Sequence, residues 1–353
     1  MRSTKTIHVM NAKPGQILAQ DIYHGNKDYS LIAPKNLRLS PYIIRRLISL
    51  DVDKITIFNE EYQTEVPVAE KLPTTQLFKE NYTENAQIVK DVLNDLAVGK
   101  KLEMDTLTPV FDAMYQQVSQ NYSLIDCINE IREADAYTYH HSLNVSLYAG
   151  LIATWMNLPE AAIQDIIQAG VLHDTGKSKI PQEILTKKGP LSEQEFEMMK
   201  KHSIYGYQLI KDAPGVNEDI SLGVLMHHEK NDGQGYPLGL EGKKIHPYAK
   251  IIAIADVYDA LTSERSYKHR LTPFNTFEEL QQIGYSHFDP KVIITFLDNI
   301  TSYYIGAKVQ LNTGETGEII AILSQSISKP IIKLNDQMID LSQEPNYTIE
   351  KML

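Results

Sequence analysis

Seven metal-ligand side chains fall within about 116 residues: His141, the adjacent pair His173-Asp174, His202, the adjacent pair His227-His228, and Asp256. Each lies in or beside a stretch whose apolar residues repeat at helical spacing, and such stretches are expected to be buried. An unpaired polar or charged group is costly there. A single such residue is explained by one hydrogen bond, but seven need a shared partner. Imidazole and carboxylate together suit iron, manganese or zinc. Seven ligands are too many for one tetrahedral ion and about enough for two. The chain is therefore expected to fold so that several helices meet around two cations, and the chemistry implied is metal-assisted hydrolysis.

The spacing supports this. His173-Asp174 ends the apolar run Ile163, Ile166, Ile167, Gly170, Val171, and His227-His228 ends Leu222, Val224, Leu225, Met226. Neighbouring residues on a helix differ in direction by about 100°. A ligand pair at a helix end can therefore face two ions, with the Asp174 carboxylate placed to bridge them. His141 opens a further apolar stretch (Val145, Leu147, Leu151), and Asp256 lies within Ile251, Ile252, Ile254, Ala255 and Val257, with Asp259 on a similar face.

The rest of the chain reads as three regions around this one. Residues 1–65 read as a small α+β module: Ile17-Leu18-Ala19 and Lys54-Ile55-Thr56-Ile57-Phe58 as strands, and Ser40-Pro41 opening a short helix through Ile43, Ile44, Leu47 and Ile48. Residues 66–119 read as a linker and lead-in helices, with Val89, Val92, Leu93 and Leu96, then Leu107, Val110, Phe111, Met114 and Val118, at helical spacing. Residues 120–303 read as a helical domain. There Ser192 to Glu195 forms a capping box opening the helix that carries His202, and Asp289-Pro290 opens another helix. Residues 304–353 read as a small β module, with strands at Lys308-Val309-Gln310-Leu311, Ile319-Ile320 and Ile331-Ile332-Lys333-Leu334 around a Gly314/Gly317 turn. The fold class is mainly α.

The net charge of −11 argues against a protein that coats polymeric nucleic acid or a membrane surface. Cys127 is the only cysteine, which rules out an intrachain disulfide and a thiolate cluster and suits a reducing compartment. The N-terminus has no apolar signal-like region, and no run of about 18 apolar residues occurs. A cytoplasmic protein without a membrane span is expected.

The run His173-Asp174-Thr175-Gly176-Lys177 resembles the signature of the HD phosphohydrolase superfamily, with Thr175 where isoleucine is more usual. The run from His227-His228-Glu229 through Gly235-Tyr236-Pro237 resembles the motif of its HD-GYP branch, with Lys230-Asn231 as a departure from the usual pair. The segments Tyr137-Thr138-Tyr139 before His141-Ser142, Lys188 to Ser192, and Asp256 to Ser263 match as well, so the resemblance covers roughly residues 120–300. It implies an HD-type helical bundle that hydrolyses cyclic di-GMP to pGpG, and in many members on to GMP. It also implies in-line attack by a hydroxide bridging two divalent ions, iron favoured and manganese next. By position, His141, His173, Asp174 and Asp256 would hold one ion, and Asp174, His202, His227 and His228 the other. Members with a third ion have a glutamate where this chain has Tyr137, which implies two; His140 is the alternative register to His141.

For substrate, the resemblance points to Lys177, Gly235, Tyr236, Pro237, Arg265 and Lys268. Lys177 would aim its ammonium at a phosphate oxygen, or simply complement a helix C-terminus. Gly233 and Gly235 permit tight turns, while Tyr236 would stack on guanine or pack the loop onto the bundle. Arg265 and Lys268 would meet phosphate or base, or belong to a solvated charge run. A related cyclic dinucleotide, the GMP-AMP hybrid, is a second candidate substrate, and a catalytically idle domain that senses ligand or docks a protein partner through the Gly-Tyr-Pro loop is a third reading. A homodimer is left open.

Overall fold

Polar residues interrupt the apolar stretches at few positions, and those stretches become the helices that fix where the candidate ligands stand. The computed structural model describes residues 4–13, 16–23, 31–33, 39, 44, 47–48, 52–58, 74–120, 124–125, 128, 139–263 and 272–353, apart from 324 and 336. Its helices are α1 (Thr74–Ala97), α2 (Met104–Gln120), α3 (Tyr139–Trp155), α4 (Glu160–Leu172), α5 (Gln182–Leu185), α6 (Glu193–Lys200), α7 (His202–Ile210), α8 (Glu218–Met226), α9 (Pro247–Thr262), α10 (Pro273–His287) and α11 (Pro290–Ile300). The main-α fold class and the small C-terminal sheet expected from the sequence are present.

Two helices are apolar on every side and form the centre. On α3, Leu143, Val145, Leu147, Tyr148, Leu151 and Ile152 are buried; on α9, Ile251, Ile252, Ile254, Ala255 and Tyr258 are buried. A helix apolar all round belongs inside a bundle, and α3 packs against α4, α9, α2 and α11. Each buried large aliphatic or aromatic side chain contributes about 1.5–3 kcal/mol, and this dense apolar packing offsets the cost of placing ionisable groups among it.

The helix starts follow capping rules. The Ser192 hydroxyl accepts from Glu195 N–H while the Glu195 carboxylate accepts from Ser192 N–H, which is the expected capping box. The helix it opens, however, ends at Lys200, and His202 begins a separate helix. The break sits at Lys201, whose N–H bonds back to the Met198 carbonyl in a tighter turn than an α-helix, while the His202 ring takes the Met199 carbonyl. Asp289 caps α11 as expected, accepting from the Lys291 and Val292 N–H groups, and also binds Lys250 Nζ at 2.9 Å.

The N-terminal residues include β1 (Thr4–His8) paired antiparallel with β4 (Lys54–Phe58), and β2 (Ile22–Tyr23) with β3 (Leu31–Ala33). Instead of a strand at 17–19, Leu18 makes an isolated bridge to Ile57. Val9, Leu18, Ile22, Leu39, Ile44, Leu47, Ile55 and Ile57 form a core of their own. Ser40, Pro41 and Ile43 lie outside the described residues, as do Cys127 and Tyr137.

At the other end, β5 (Lys308–Leu311), β6 (Thr316–Ala321), β7 (Ile331–Leu334), β8 (Gln337–Asp340) and β9 (Ile349–Met352) form an antiparallel sheet in the order β8-β7-β6-β5-β9. Its buried residues Val309, Leu311, Ile319, Ile332 and Leu334 belong to the same apolar cluster as the helical bundle. The Tyr258 and Tyr304 hydroxyls, 2.9 Å apart, join α9 to the segment leading into that sheet. Among the described residues, no helix is long and apolar enough to cross a membrane.

Candidate metal centre

Four helix ends and the middle of α9 deliver the seven side chains to one place. His141 enters from the first turn of α3, His173 is the C-cap of α4 with Asp174 just after it, His202 is the first residue of α7, and His227 is the C-cap of α8 with His228 next. Asp256 projects from α9. His173, His202 and His227 are no more than 1% exposed, and Asp174 and Asp256 are buried.

Four imidazoles are oriented the same way. Each points Nδ1 outward: His173 to the Gly170 carbonyl at 2.7 Å, His202 to the Met199 carbonyl at 2.8 Å, His227 to the Val224 carbonyl at 2.7 Å, and His141 to Asp259 Oδ2 at 2.7 Å. Carbonyls and carboxylates only accept, so Nδ1 carries the proton, and in a neutral ring the Nε2 lone pair faces the centre. Metal-ligating histidines almost always make outer hydrogen bonds of this kind, which set the tautomer and ring orientation. Burial holds the His202 and His227 imidazolium forms below their usual range, helped at His227 by the neighbouring His228, and burial brings His228 down to about 3. These three rings are therefore neutral near pH 7.

The carboxylates lie between the rings. Asp174 Oδ1 is 3.5 Å from His202 Nε2, while Asp174 Oδ2 is 3.4 Å from His173 Nε2 and 3.7 Å from His141 Nε2. Burial opposes ionisation of Asp174, but the Lys177 ammonium beside it and the His173 ring hold its carboxyl well below the usual carboxylate range. Asp256 Oδ1 is 3.1 Å from His141 Nε2. Burial opposes its ionisation too, but the His141 hydrogen bond and charge keep it ionised. Burial lowers His141, yet hydrogen bonds to Asp256 and Asp259 outweigh it and raise the imidazolium to about 9.

These residues fit a pair of divalent cations. His173 Nε2 and Asp174 Oδ1 are buried and have no hydrogen-bond partner among the described residues. Native interiors rarely leave such atoms unsatisfied. Ligand atoms of His202, His227 and His228 converge within 4.8 Å of one another, and so do those of His141, His173 and Asp174. Asp174 offers one oxygen to each group. Of the two registers at the start of α3, His141 faces the cluster, while the His140 ring packs edge-on against Tyr82 at 5.3 Å.

Further residues border the centre. Lys177 Nζ lies 2.5 Å from Asp174 Oδ2 and is partly open to solvent. Its turn (Thr175–Lys179) nests against α7 through Gly176, where a Cβ would overlap the main chain of His202 and Gly206. The loop after His228 returns to the cleft at Tyr236, whose ring lies 4.6 Å from that of His228 at 33°; burial pushes its phenol up. Gly235 is required by close approach, since a Cβ there would meet the Lys230 amide and Glu229 main chain. Arg265 and Lys268 lie outside the described residues.

Three groups near the centre carry no role in the sequence reading. Asp259 orients His141, and its spacing of three from Asp256 is the only local hint. Glu229, buried at 4% exposure, accepts from Leu238 N–H at 2.6 Å and Leu240 N–H at 2.8 Å, which ties the loop down. Phe196 is half-exposed beside Tyr236, with Lys200 Nζ 5.4 Å from its ring and 5.9 Å from that of Tyr236.

Comparison with known proteins places this arrangement. The chain is 31% identical over 248 residues to a cyclic di-GMP phosphodiesterase, PA4108, of Pseudomonas aeruginosa, covering 70% of this chain and 59% of that protein. It is 37% identical over 172 residues to a 3'3'-cGAMP-specific phosphodiesterase of Vibrio cholerae, covering 48% and 33%. The chain thus spans less than two thirds of the length of either curated relative. Among solved structures it is similar in fold to Bd1817, a HDG"Y"P protein from Bdellovibrio bacteriovorus, with a TM-score of 0.53 at 16% identity over 84% of this chain and 99% of that one. The family model described as HD domain matches residues 113–292, just over half of the 353 residues and inclusive of every candidate ligand from His141 to Asp256. By that match the chain belongs to the HD domain family.

Proposed function

We propose that this chain is a metal-dependent phosphodiesterase that hydrolyses cyclic di-GMP to pGpG. The observation that carries the reading is the position of Asp174, with one oxygen toward His202 and the other toward His173 and His141. His141, His173, Asp174 and Asp256 would hold one ion, and Asp174, His202, His227 and His228 the other. Iron is favoured and manganese next, because a mixed imidazole and carboxylate set accepts both. When bound, such ions offset charge on the phosphate oxygens and acidify water.

The protein's own part is orientation and charge. The outward Nδ1 bonds hold four rings with Nε2 facing inward, so the rings need little reorientation on loading. Lys177 balances Asp174 and is near enough to the cleft to meet a non-bridging phosphate oxygen. Tyr236 presents a ring beside His228, suited to stack on a base, with Gly235 and Pro237 shaping the loop and Arg265 and Lys268 assigned to phosphate or base. The names and identities of the Pseudomonas and Vibrio relatives support a cyclic dinucleotide as substrate.

The test is incubation of protein purified without oxygen with cyclic di-GMP and Mn2+ or Fe2+. Release of pGpG or GMP, abolished in Asp174→Ala, is expected; no product with either ion would overturn the reading. The hybrid 3'3'-cGAMP is a second substrate candidate, favoured by similarity to the Vibrio enzyme specific for it. Parallel reactions with the two dinucleotides distinguish them.

A further inference from the structure

Tyr82 lies on α1, outside residues 113–292 matched by the family model, yet its hydroxyl ends a buried hydrogen-bond chain that leads to the inward-facing ring of His141. His141 Nδ1 donates to Asp259 Oδ2 at 2.7 Å. Asp259 Oδ1 accepts from Asn144 Nδ2 at 2.9 Å, and Asn144 Oδ1 accepts from the Tyr82 hydroxyl at 2.5 Å. The same hydroxyl lies 3.0 Å from the main-chain carbonyl of His140, the residue before the ligand. Tyr82 and Asp259 are 1% exposed and Asn144 is 4% exposed, so water does not compete along the chain.

The donors and acceptors can be assigned in one direction. An ionised Asp259 accepts from both neighbours, so Asn144 must turn its NH2 toward Asp259 and its carbonyl oxygen toward Tyr82. Turned the other way, the amide would set oxygen against carboxylate. The Tyr82 hydroxyl supplies the donor that favours the productive orientation. A second tether holds the same helix near the cleft: Lys179, on the turn that contains Lys177, donates to the Leu96 carbonyl at the other end of α1 at 2.7 Å.

We propose that Tyr82 is a positioning residue for the cation that His141 holds, acting through Asn144 and Asp259; this rests on the two-metal reading above. It makes α1 part of the metal centre rather than a spacer. Removing the direct outer partner of a ligating histidine costs 10–100-fold in metal affinity, and Tyr82 is two links further out, so about 3–10-fold is expected at that one site. The rival explanation is packing, because the Tyr82 ring lies 5.5 Å from that of Phe78 and edge-on to His140. Phenylalanine preserves that packing and removes only the hydroxyl.

The experiment uses the full chain, stripped with a chelator and titrated with Mn2+ against a competing indicator. Wild type is expected to take two ions; fewer would overturn the two-metal reading itself, independently of Tyr82. Tyr82→Phe should bind one ion as wild type does and the other several-fold more weakly. Asn144→Ser, which breaks the chain one link nearer, should weaken the same site at least as much. Phe78→Leu, which disturbs the packing of α1 but not the chain, should lower the unfolding temperature and leave both affinities unchanged. Unchanged binding in Tyr82→Phe and Asn144→Ser, equal weakening of both ions, or the same site-selective loss in Phe78→Leu would each overturn the proposal.

Discussion

The Nε2 atoms of His202 and His227 stand 3.2 Å apart although each ring has already committed its Nδ1 proton to a main-chain carbonyl. Both rings are held neutral by burial, so neither has a proton left to place between them. Two lone pairs at hydrogen-bond distance repel in a water-poor site and become favourable around a shared cation. The protein therefore maintains, by its backbone, a contact that makes electrostatic sense only when a positive charge lies nearby.

Metal content should follow the division of ligands. Elemental analysis of wild type should give two divalent ions per chain. His227→Ala should leave one, because Asp174, His173, His141 and Asp256 remain, whereas Asp174→Ala should reduce both, because its two oxygens face the two groups. Retention of two ions in Asp174→Ala would show that this carboxylate does not bridge.

Loading should release a proton at His141. The folded, metal-free imidazolium is raised to about 9 from its usual 6.5, so its stabilising contribution is fully present below pH 6.5 and is lost as pH rises through about 9. A cation at Nε2 must displace that proton. Calorimetric titration with Mn2+ in buffers of different ionisation enthalpy should show about one more proton released at pH 7 than at pH 10. Equal release at both would sink the assignment.

Glu229→Gln should damage substrate handling without emptying the metal centre. Both carboxylate oxygens accept main-chain N–H groups, and a glutamine presents NH2 to one of them. An unsatisfied buried donor of this kind costs about 1–3 kcal/mol. The loop bearing Tyr236 should loosen, raising KM several-fold, while metal stoichiometry stays at the wild-type value. Loss of metal with unchanged KM would contradict a loop-holding role.

Gly176→Ala should act through the fold. Its Cβ would overlap the main chain of His202 and Gly206, neither of which can rotate aside as a side chain would. Overpacking of this sort costs roughly 1–3 kcal/mol, and the midpoint of thermal unfolding should fall by roughly 2–12 °C. An unchanged midpoint would mean that α7 moves freely against the turn, contrary to the packing described.

The helix ends that carry the candidate ligands are legible because His173-Asp174 and His227-His228 each terminate an apolar run, and a polar pair there is conspicuous. Asp259 was not legible in the same way. Its partner His141 is 118 residues away, and only the crossing of α3 and α9 brings the two together. Asn144 and Tyr82 are hidden for the same reason, each an ordinary polar residue until the third helix is in place. The break at Lys201 escaped because the residues on both sides favour helix, and the deciding bonds involve the carbonyls of Met198 and Met199. Strand β1, exposed along most of its length, shows little alternation to read, and the exposed start of β8 conceals its pairing with β7. Neither edge carries the apolar signal on which strand recognition depends.

The two β-containing ends of the chain have different evolutionary freedom. Among the described residues the N-terminal segment closes around its own core, so exchanging or losing it should leave the interior of the bundle covered. The C-terminal sheet completes the interior of its neighbour, with Val309, Leu311 and Ile319 in the same cluster as Phe274 and Phe277. Lineages that shuffle parts should accordingly swap the front of this protein readily and inherit its back together with the helices.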